Sequence, residues 1–201
     1  MQESQNFLSV AETLAKRAGD LCLEIQQDLG EIHYKSKKDV VTRADIASEK
    51  LIVEGIRKAF PTHSIRTEEA GVIEGTDPRY LWIIDPVDGT VNFSRGIPLW
   101  GISIALHFEG KPLVAAVNLP KLGELYTASL GGGAFMNGKA IHVSRESDSV
   151  HAIVSNGDFN VGDAQKINEQ NSRNFAREAV AFERVKCLGS AVIEGCFTAC
   201  G

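Results

Sequence analysis

The segment Tyr80-Leu81-Trp82-Ile83-Ile84 runs directly into Asp85-Pro86-Val87-Asp88-Gly89-Thr90. Its first half has the apolar, aromatic and β-branched composition of a buried strand. Pro86 has no N–H for a sheet ladder and Asp88-Gly89 is a turn dipeptide, so we predict that the strand ends here. Both carboxylates then lie at one end of a sheet, beside a helix start at residues 89–92 whose N–H groups suit a phosphate. The alternative is that Asp-Pro and Asp-Gly are turn dipeptides and nothing more.

A second acidic pair, Glu68-Glu69, follows a short strand-like segment at residues 64–66. Adjacent glutamates in a loop are usually only a solvated surface. Mg²⁺, however, prefers carboxylate, carbonyl and water oxygens, with a substrate phosphate completing its shell. If the two strand ends adjoin, the sequence predicts a magnesium site with these ligands: the carboxylates of Glu68, Asp85 and Asp88 and the carbonyl of Val87.

Two amphipathic helices are predicted ahead of the central strand. Apolar residues recur with helical spacing over residues 4–29 and stop at Gly30. A second apolar stripe follows Thr42, whose spacing to Asp45 resembles a capping box, and it ends before Pro61. We expect helices over both stretches.

The remainder of the chain is predicted to change from strands to alternating α/β structure. Large apolar side chains alternate from Trp100 to Phe108, which predicts a strand with two distinct faces. Asn137-Gly138 predicts a tight hairpin, so the middle of the chain is an antiparallel meander. The later elements are predicted as strand, helix, strand and helix at residues 150–155, 164–177, 181–187 and from Ser190 onward.

We predict two parts in this chain, and since no linker or low-complexity segment is visible between them, we expect them to pack directly on one another. Residues 1–144 form an α+β part that carries the metal-site motifs, and residues 145–201 begin an α/β part. The last predicted helix is apolar to its end and lacks a polar or cationic last turn. We therefore expect the natural chain to continue beyond Gly201.

Composition and charge exclude several classes of protein. The 201 residues are 43% hydrophobic and 23% charged, which is typical of a folded globular protein. Lys and Arg total 21 against 26 Asp and Glu, so the net charge of −5 disfavours nucleic acid as a partner. The sequence shows neither a signal peptide nor a membrane span, and its four cysteines lack C-x-x-C spacing. We expect a cytoplasmic protein with reduced thiols and no membrane partner.

Four motifs, in this order and spacing, resemble the inositol monophosphatase family, and the match extends over nearly the whole chain. The motifs are Asp39-Val40-Val41-Thr42-Arg43-Ala44-Asp45, Glu68-Glu69, Asp85-Pro86-Val87-Asp88-Gly89-Thr90-Val91-Asn92-Phe93 and Gly189-Ser190-Ala191. The T-x-N-F ending at residues 90–93, combined with the upstream Glu-Glu pair, is the specific part. The resemblance implies a layered α-β-α-β-α sandwich of the inositol monophosphatase and fructose bisphosphatase type. It also implies a homodimer and a Mg²⁺-dependent, lithium-sensitive phosphatase.

The resemblance further implies a role for individual residues in metal binding. Glu68, Asp85 and the Val87 carbonyl resemble the ligands of a first Mg²⁺. Asp85 would bridge to a second ion that Asp88 also holds, so two or more Mg²⁺ are expected in each active site.

Other residues are expected, by the same resemblance, to act on water and substrate. Glu68 and Thr90, with Asp45 hydrogen-bonded to the threonine, resemble the group that orients and deprotonates the attacking water. The expected substrate contacts are Asp88, the N–H groups of Gly89 and Thr90, the Ala191 backbone and the Lys35 charge.

One departure from the family pattern bears on activity. The family carries a further metal-binding aspartate in a W-D-x-A-A-G motif after the Gly-Ser-Ala helix, and neither Trp82 nor Trp100 precedes an aspartate here. We therefore expect the 201-residue chain to bind the first Mg²⁺ and to turn over poorly.

Three readings of the function stay open at this point. The leading one is hydrolysis of a small sugar-alcohol phosphate such as inositol monophosphate. Fructose-1,6-bisphosphatase or 3′(2′),5′-bisphosphate nucleotidase activity is the nearest alternative, although Thr90-Val91-Asn92-Phe93 differs from the usual pattern of those enzymes. A non-catalytic binding or dimerising protein with the same fold is the third.

Overall fold

The computed structural model describes residues 2–36, 39–157 and 165–201. Within these ranges the chain forms five α-helices: α1 (Gln2–Gln27), α2 (Arg43–Ala59), α3 (Thr90–Ser94), α4 (Gln165–Ala181) and α5 (Ala191–Cys200). The strands of the same ranges are β1 (His33–Ser36), β2 (Asp39–Val41), β3 (His63–Thr67), β4 (Gly71–Ile73), β5 (Asp77–Asp88), β6 (Gly101–Phe108), β7 (Lys111–Leu119), β8 (Glu124–Ser129), β9 (Gly133–Met136), β10 (Lys139–Ala140), β11 (Ile153–Ser155) and β12 (Arg184–Lys186).

Eight of these strands form one mixed sheet in the order β10-β9-β8-β7-β6-β5-β3-β4. Strands β5 to β10 pair antiparallel with their neighbours in sequence, so the predicted meander is confirmed. β3 is the exception, because it runs parallel to β5. Two small pairs lie outside this sheet: β1 with β2, antiparallel, and β11 with β12, parallel.

Helices cover both faces of the large sheet. Val114 and Ala116 of β7 belong to the buried core beneath α1 and α2. Leu119 of the same strand belongs to a second buried cluster with Ile193 and Cys196 of α5. Because alternate residues of a strand point to opposite faces, α5 lies on the face opposite α1 and α2. None of the helices in the described ranges is long and apolar enough to cross a membrane.

The central strand β5 is longer than predicted. It continues through Pro86 to Asp88, so the prediction that it ends before the proline is wrong. The register against β6 shifts between Asp85 and Asp88, which pair with Ser103 and Gly101. Pro86 lies in this bulge, where a strand does not need its N–H for the ladder.

The predictions for the later elements are right in type and wrong in extent. The strand predicted at residues 150–155 begins with a 3₁₀ turn, in which the Asp148 side chain accepts a hydrogen bond from the Val150 N–H at 3.0 Å. The helix predicted to end at 177 runs on to Ala181, since no Gly or Pro interrupts it. Ala164, the first residue of that prediction, lies outside the described residues. The division of the chain near residue 144 stays a prediction.

The predicted capping box at the start of α2 is confirmed. The Thr42 N–H donates to Asp45 Oδ2 at 2.8 Å, and Thr42 Oγ1 accepts from the Ala44 N–H at 3.1 Å. These two bonds satisfy N–H groups that have no partner inside the helix. They also fix the Asp45 side chain at the first turn.

Removing this cap tests its contribution to stability. We expect Thr42→Ala to lower the free energy of unfolding by about 1 kcal/mol, because an N-cap hydroxyl is lost. Thr42→Ser keeps the hydroxyl and serves as the matched control. Urea unfolding at pH 7 with a chelator measures both variants, and equal stabilities for the Ala and Ser variants would contradict this account.

Candidate active site

The site begins where β3 ends beside β5, which continues to Asp88. The last parallel pair of these strands is Thr67 with Ile84, so Glu68, the first residue after β3, lies next to Asp85 of β5 at one end of the sheet. The pKa of Asp85 is raised to about 8; burial is the largest cause, followed by the negative charges of Asp88 and Glu68. The strand ends therefore adjoin, and the carboxylates act on one another.

Asp45 and Thr90 connect this edge to helix α2. Asp45 is buried; its Oδ2 accepts from the Thr42 hydroxyl at 2.7 Å, and its Oδ1 accepts from the Thr90 hydroxyl at 3.1 Å. Burial raises the pKa of Asp45, and the hydrogen bonds from Thr42 and Thr90 partly offset that rise. The Thr90 hydroxyl also lies 2.9 Å from the Val87 carbonyl oxygen. Since a hydroxyl has one proton, Thr90 donates to only one of these acceptors at a time.

Gly89 makes the turn from β5 into α3. Its φ is +85°, and a Cβ there would lie 3.0 Å from the Leu99 carbonyl oxygen and 3.1 Å from Ser190 Cβ. A side chain would therefore be strained by the backbone conformation and by the contacts. The first helical bond runs from the Phe93 N–H to the Gly89 oxygen at 2.9 Å.

Asp88 is held by the start of helix α5. Its Oδ2 accepts hydrogen bonds from the Ser190 hydroxyl and, at 3.1 Å, from the Val192 N–H. The Asn92 amide adds donations to the carbonyls of Leu99 at 2.7 Å and Leu188 at 2.8 Å. These contacts join the central motif to a segment about 100 residues later in the chain. They place Ala191, the first residue of α5, beside Asp88.

The structure does not bring all of the predicted site residues together in one cluster. Among the side chains that it describes, no three His, Cys, Asp or Glu lie close enough to hold a metal ion as they stand. Lys35 lies in β1, whose partner β2 contacts α3 next to the site. The roles of these residues stay predictions.

Two residues that the sequence analysis missed also face the site from α2. Ser48 donates to the Pro86 carbonyl oxygen at 2.8 Å, and the carboxylate of Glu49 accepts from the Thr67 hydroxyl at 2.6 Å. Both are buried. Their spacing from Asp45, three and four residues, places all three on one helix face, and this was the available signal.

The donor set fits a hard divalent cation. Burial, and after it the negative charges of Asp88 and Glu68, raise the pKa of Asp85 and so disfavour its charged form. A cation bound among these three carboxylates would remove their repulsion, and carboxylate and carbonyl oxygens are the ligands that Mg²⁺ takes. Fold and site together define a layered α/β sandwich with a carboxylate site at one sheet edge.

Comparisons with known proteins extend this description. The sequence profile of the "Inositol monophosphatase family" matches residues 3–201. Nus factor SuhB of Pseudomonas aeruginosa is 38% identical over 202 residues, covering 98% of this chain and 74% of that protein. Inositol monophosphatase 2 of Solanum lycopersicum is 36% identical over 202 residues, covering 98% and 76%. The crystal structure of extragenic suppressor protein suhB from Bartonella henselae matches with a TM-score of 0.91 at 28% identity, covering 98% of this chain and 75% of that one.

The chain belongs to the inositol monophosphatase family. The resemblance drawn from the four motifs is confirmed, and so is the fold class, a mixed sheet between layers of helices. The family is one of Mg²⁺-dependent phosphatases. The matched relatives carry different names, a Nus factor and an inositol monophosphatase, so the family alone does not assign a substrate.

The raised pKa of Asp85 predicts how stability depends on pH. Between its ordinary value of 3.8 and about 8, the unfolded chain has released this proton and the folded chain has kept it. Ionisation of Asp85 therefore destabilises the folded state relative to the unfolded state, and the free energy of unfolding falls as the pH rises through this interval. The asparagine of Asp85→Asn cannot ionise, so the variant escapes this destabilisation. We therefore expect its free energy of unfolding, relative to that of the unsubstituted protein, to increase from pH 5 to pH 8.

Urea unfolding at several pH values in the presence of a chelator measures this difference. Asp77→Asn is the control, because the hydrogen bond from Arg79 lowers the pKa of Asp77 to about 2 and its effect is constant above pH 5. A stability difference for Asp85→Asn that is the same at pH 5 and pH 8 would contradict the charge cluster.

Proposed function

We propose that this protein hydrolyses a small phosphate monoester with Mg²⁺, and that inositol monophosphate is the substrate. The observation that carries the proposal is the position of Glu68, just after β3, next to Asp85 of β5, where the charge of Glu68 contributes to the raised pKa of Asp85. Membership of a phosphatase family supports the reaction class. A cytoplasmic location and a homodimer, both expected from the sequence analysis, belong to the same proposal.

The metal ligands of this proposal are those expected from the sequence. Glu68, Asp85 and the Val87 carbonyl would hold one Mg²⁺, and Asp85 with Asp88 would hold a second. Bound Mg²⁺ lowers the pKa of a water molecule and neutralises charge on the phosphate. Because Asp88 Oδ2 accepts the hydrogen bonds from α5, Oδ1 is the oxygen that would bind the ion.

The chain's own residues supply the proton chemistry. When the Thr90 hydroxyl donates a hydrogen bond to Asp45, the lone pairs of Thr90 Oγ1 are free to accept a hydrogen bond from a water molecule. Glu68 accepts the other proton of that water and acts as the general base. The pair Thr90 and Glu68 thereby orients the water toward phosphorus.

The substrate contacts come from three parts of the chain. The N–H groups of Gly89 and Thr90 would bind phosphate oxygens, and Lys35 would add a positive charge. Asp88 and the Ala191 backbone would contact the alcohol portion, which agrees with the hydrogen bonds that join Asp88 to the start of α5. Substrate selection therefore depends on the α5 contact as well as on the metal site.

Calorimetric titration with Mg²⁺ at pH 8 and a substrate panel test the proposal together. The panel contains inositol 1-phosphate, fructose 1,6-bisphosphate and adenosine 3′,5′-bisphosphate. We expect Mg²⁺ binding, hydrolysis that requires Mg²⁺, is slow because the W-D-x-A-A-G motif is lacking, and is fastest with inositol 1-phosphate, and a loss of both properties in Asp85→Asn. Asp77→Asn is again the control and keeps both.

Each result that differs from this expectation leads to a different conclusion. Faster hydrolysis of one of the two bisphosphates would replace the proposed substrate with that one. Mg²⁺ binding without hydrolysis of any substrate favours the non-catalytic reading. Absence of Mg²⁺ binding, or unchanged binding in Asp85→Asn, contradicts the metal assignment itself.

A further inference from the structure

One face of helix α2 makes polar contacts with three separate segments of the site. Asp45, Ser48 and Glu49 share this face, and all three are buried although their side chains are polar. Asp45 contacts Thr90, and Ser48 contacts the Pro86 carbonyl. Buried polar groups are costly unless they are paired, so such a face indicates a specific structural or functional demand.

Glu49 contacts the turn that carries Glu68. Its Oε2 accepts hydrogen bonds from the Thr67 hydroxyl at 2.6 Å, the Glu69 N–H at 2.9 Å and the Ala70 N–H at 3.3 Å. The donors lie on both sides of Glu68, one residue before it and one and two residues after it. A single carboxylate oxygen thus fixes the backbone on either side of the proposed metal ligand.

The local sheet gives this turn limited support. β4, which follows the turn, has three residues and is the outer strand of the sheet. Glu68 and Ala70 are exposed, so the turn is not buried in the core. The bonds to Glu49 tie it to a long helix that packs against β5. They are therefore well placed to set the position of the Glu68 backbone.

Glu49 is not arranged as a metal ligand itself. The oxygen that faces the turn already accepts three hydrogen bonds. Groups that hold a ligand in place without touching the ion typically change metal affinity 10–100-fold when they are removed.

We propose that Glu49 is a positioning residue, whose buried carboxylate holds the turn at residues 67–70 and thereby sets Glu68 toward Asp85. The inference rests on the proposed function, because its effect on metal binding requires a Mg²⁺ site at Glu68 and Asp85. Its effect on the turn does not depend on a metal.

Four substitutions test this role. Glu49→Ala removes the acceptor, whereas Glu49→Gln keeps a carbonyl oxygen that can take the same three donors. Glu54→Ala is the matched control: Glu54 lies on the same helix with an exposed side chain and pairs with Lys50 at 4.0 Å. Thr67→Val removes a single donor and provides a milder change if Glu49→Ala does not fold.

Two measurements separate positioning from general stability. The first is amide hydrogen exchange of Glu69 and Ala70 in the metal-free protein, which we expect to be faster in Glu49→Ala and unchanged in Glu49→Gln and Glu54→Ala. The second is calorimetric Mg²⁺ affinity, which we expect to fall about 10–100-fold in Glu49→Ala and to stay within a few-fold of the unsubstituted value in the other two. Thr67→Val is expected to change both in the same direction as Glu49→Ala, by less.

The outcomes distinguish this inference from the proposed function. Unchanged exchange and unchanged Mg²⁺ affinity in folded Glu49→Ala, or in Thr67→Val if the former does not fold, would overturn the positioning role. An equal loss of affinity in Glu49→Gln would also overturn it, because the hydrogen bonds would then not be the cause. If the unsubstituted protein binds no Mg²⁺, the proposed function fails, while the exchange measurement still decides whether Glu49 holds the turn.

Discussion

The burial of Asp85 among other acidic side chains at one end of the sheet is the constraint on which the rest of this structure depends. Asp85 lies among the negative charges of Asp88, Glu68 and, more weakly, Asp45. Folding brings these groups together although their charged forms oppose it. The chain limits the cost with directed hydrogen bonds, since Asp45 accepts from two threonines and Asp88 from the start of α5. Because the charged forms of these carboxylates are unfavourable until a cation binds between them, the site is suited to binding one.

The architecture explains why distant motifs meet at this edge. Parallel pairing of β3 with β5 brings Glu68, which follows the end of β3, next to Asp85 of β5. Helix α2 contacts the edge from one side of the sheet, and α5 reaches it from the other through Asp88. The sheet thus supplies the acidic side chains, and the two helices fix their orientation. Membership of the inositol monophosphatase family agrees with this division of labour.

Local patterns predict much of the fold, because they depend on neighbouring residues. The capping box at Thr42 and the alternation along β6 are read directly from the sequence and are present. Contacts between remote residues are less accessible. The bonds from Glu49 to the β3–β4 turn span about 20 residues, and those from Asp88 to α5 span more than 100. Pro86 misled the prediction of β5 because only the partner strand reveals the bulge.

Anomalous diffraction from crystals soaked in Mn²⁺, a stand-in for Mg²⁺ with a detectable signal, tests the central claim most directly. The account predicts a peak between the carboxylates of Glu68 and Asp85 and the Val87 carbonyl, with metal–oxygen distances of roughly 2.0–2.3 Å. It also predicts that Asp88 contacts an ion through Oδ1 while Oδ2 stays bonded to Ser190 and Val192. Strong anomalous peaks elsewhere on the protein, with none at this sheet edge, would contradict it.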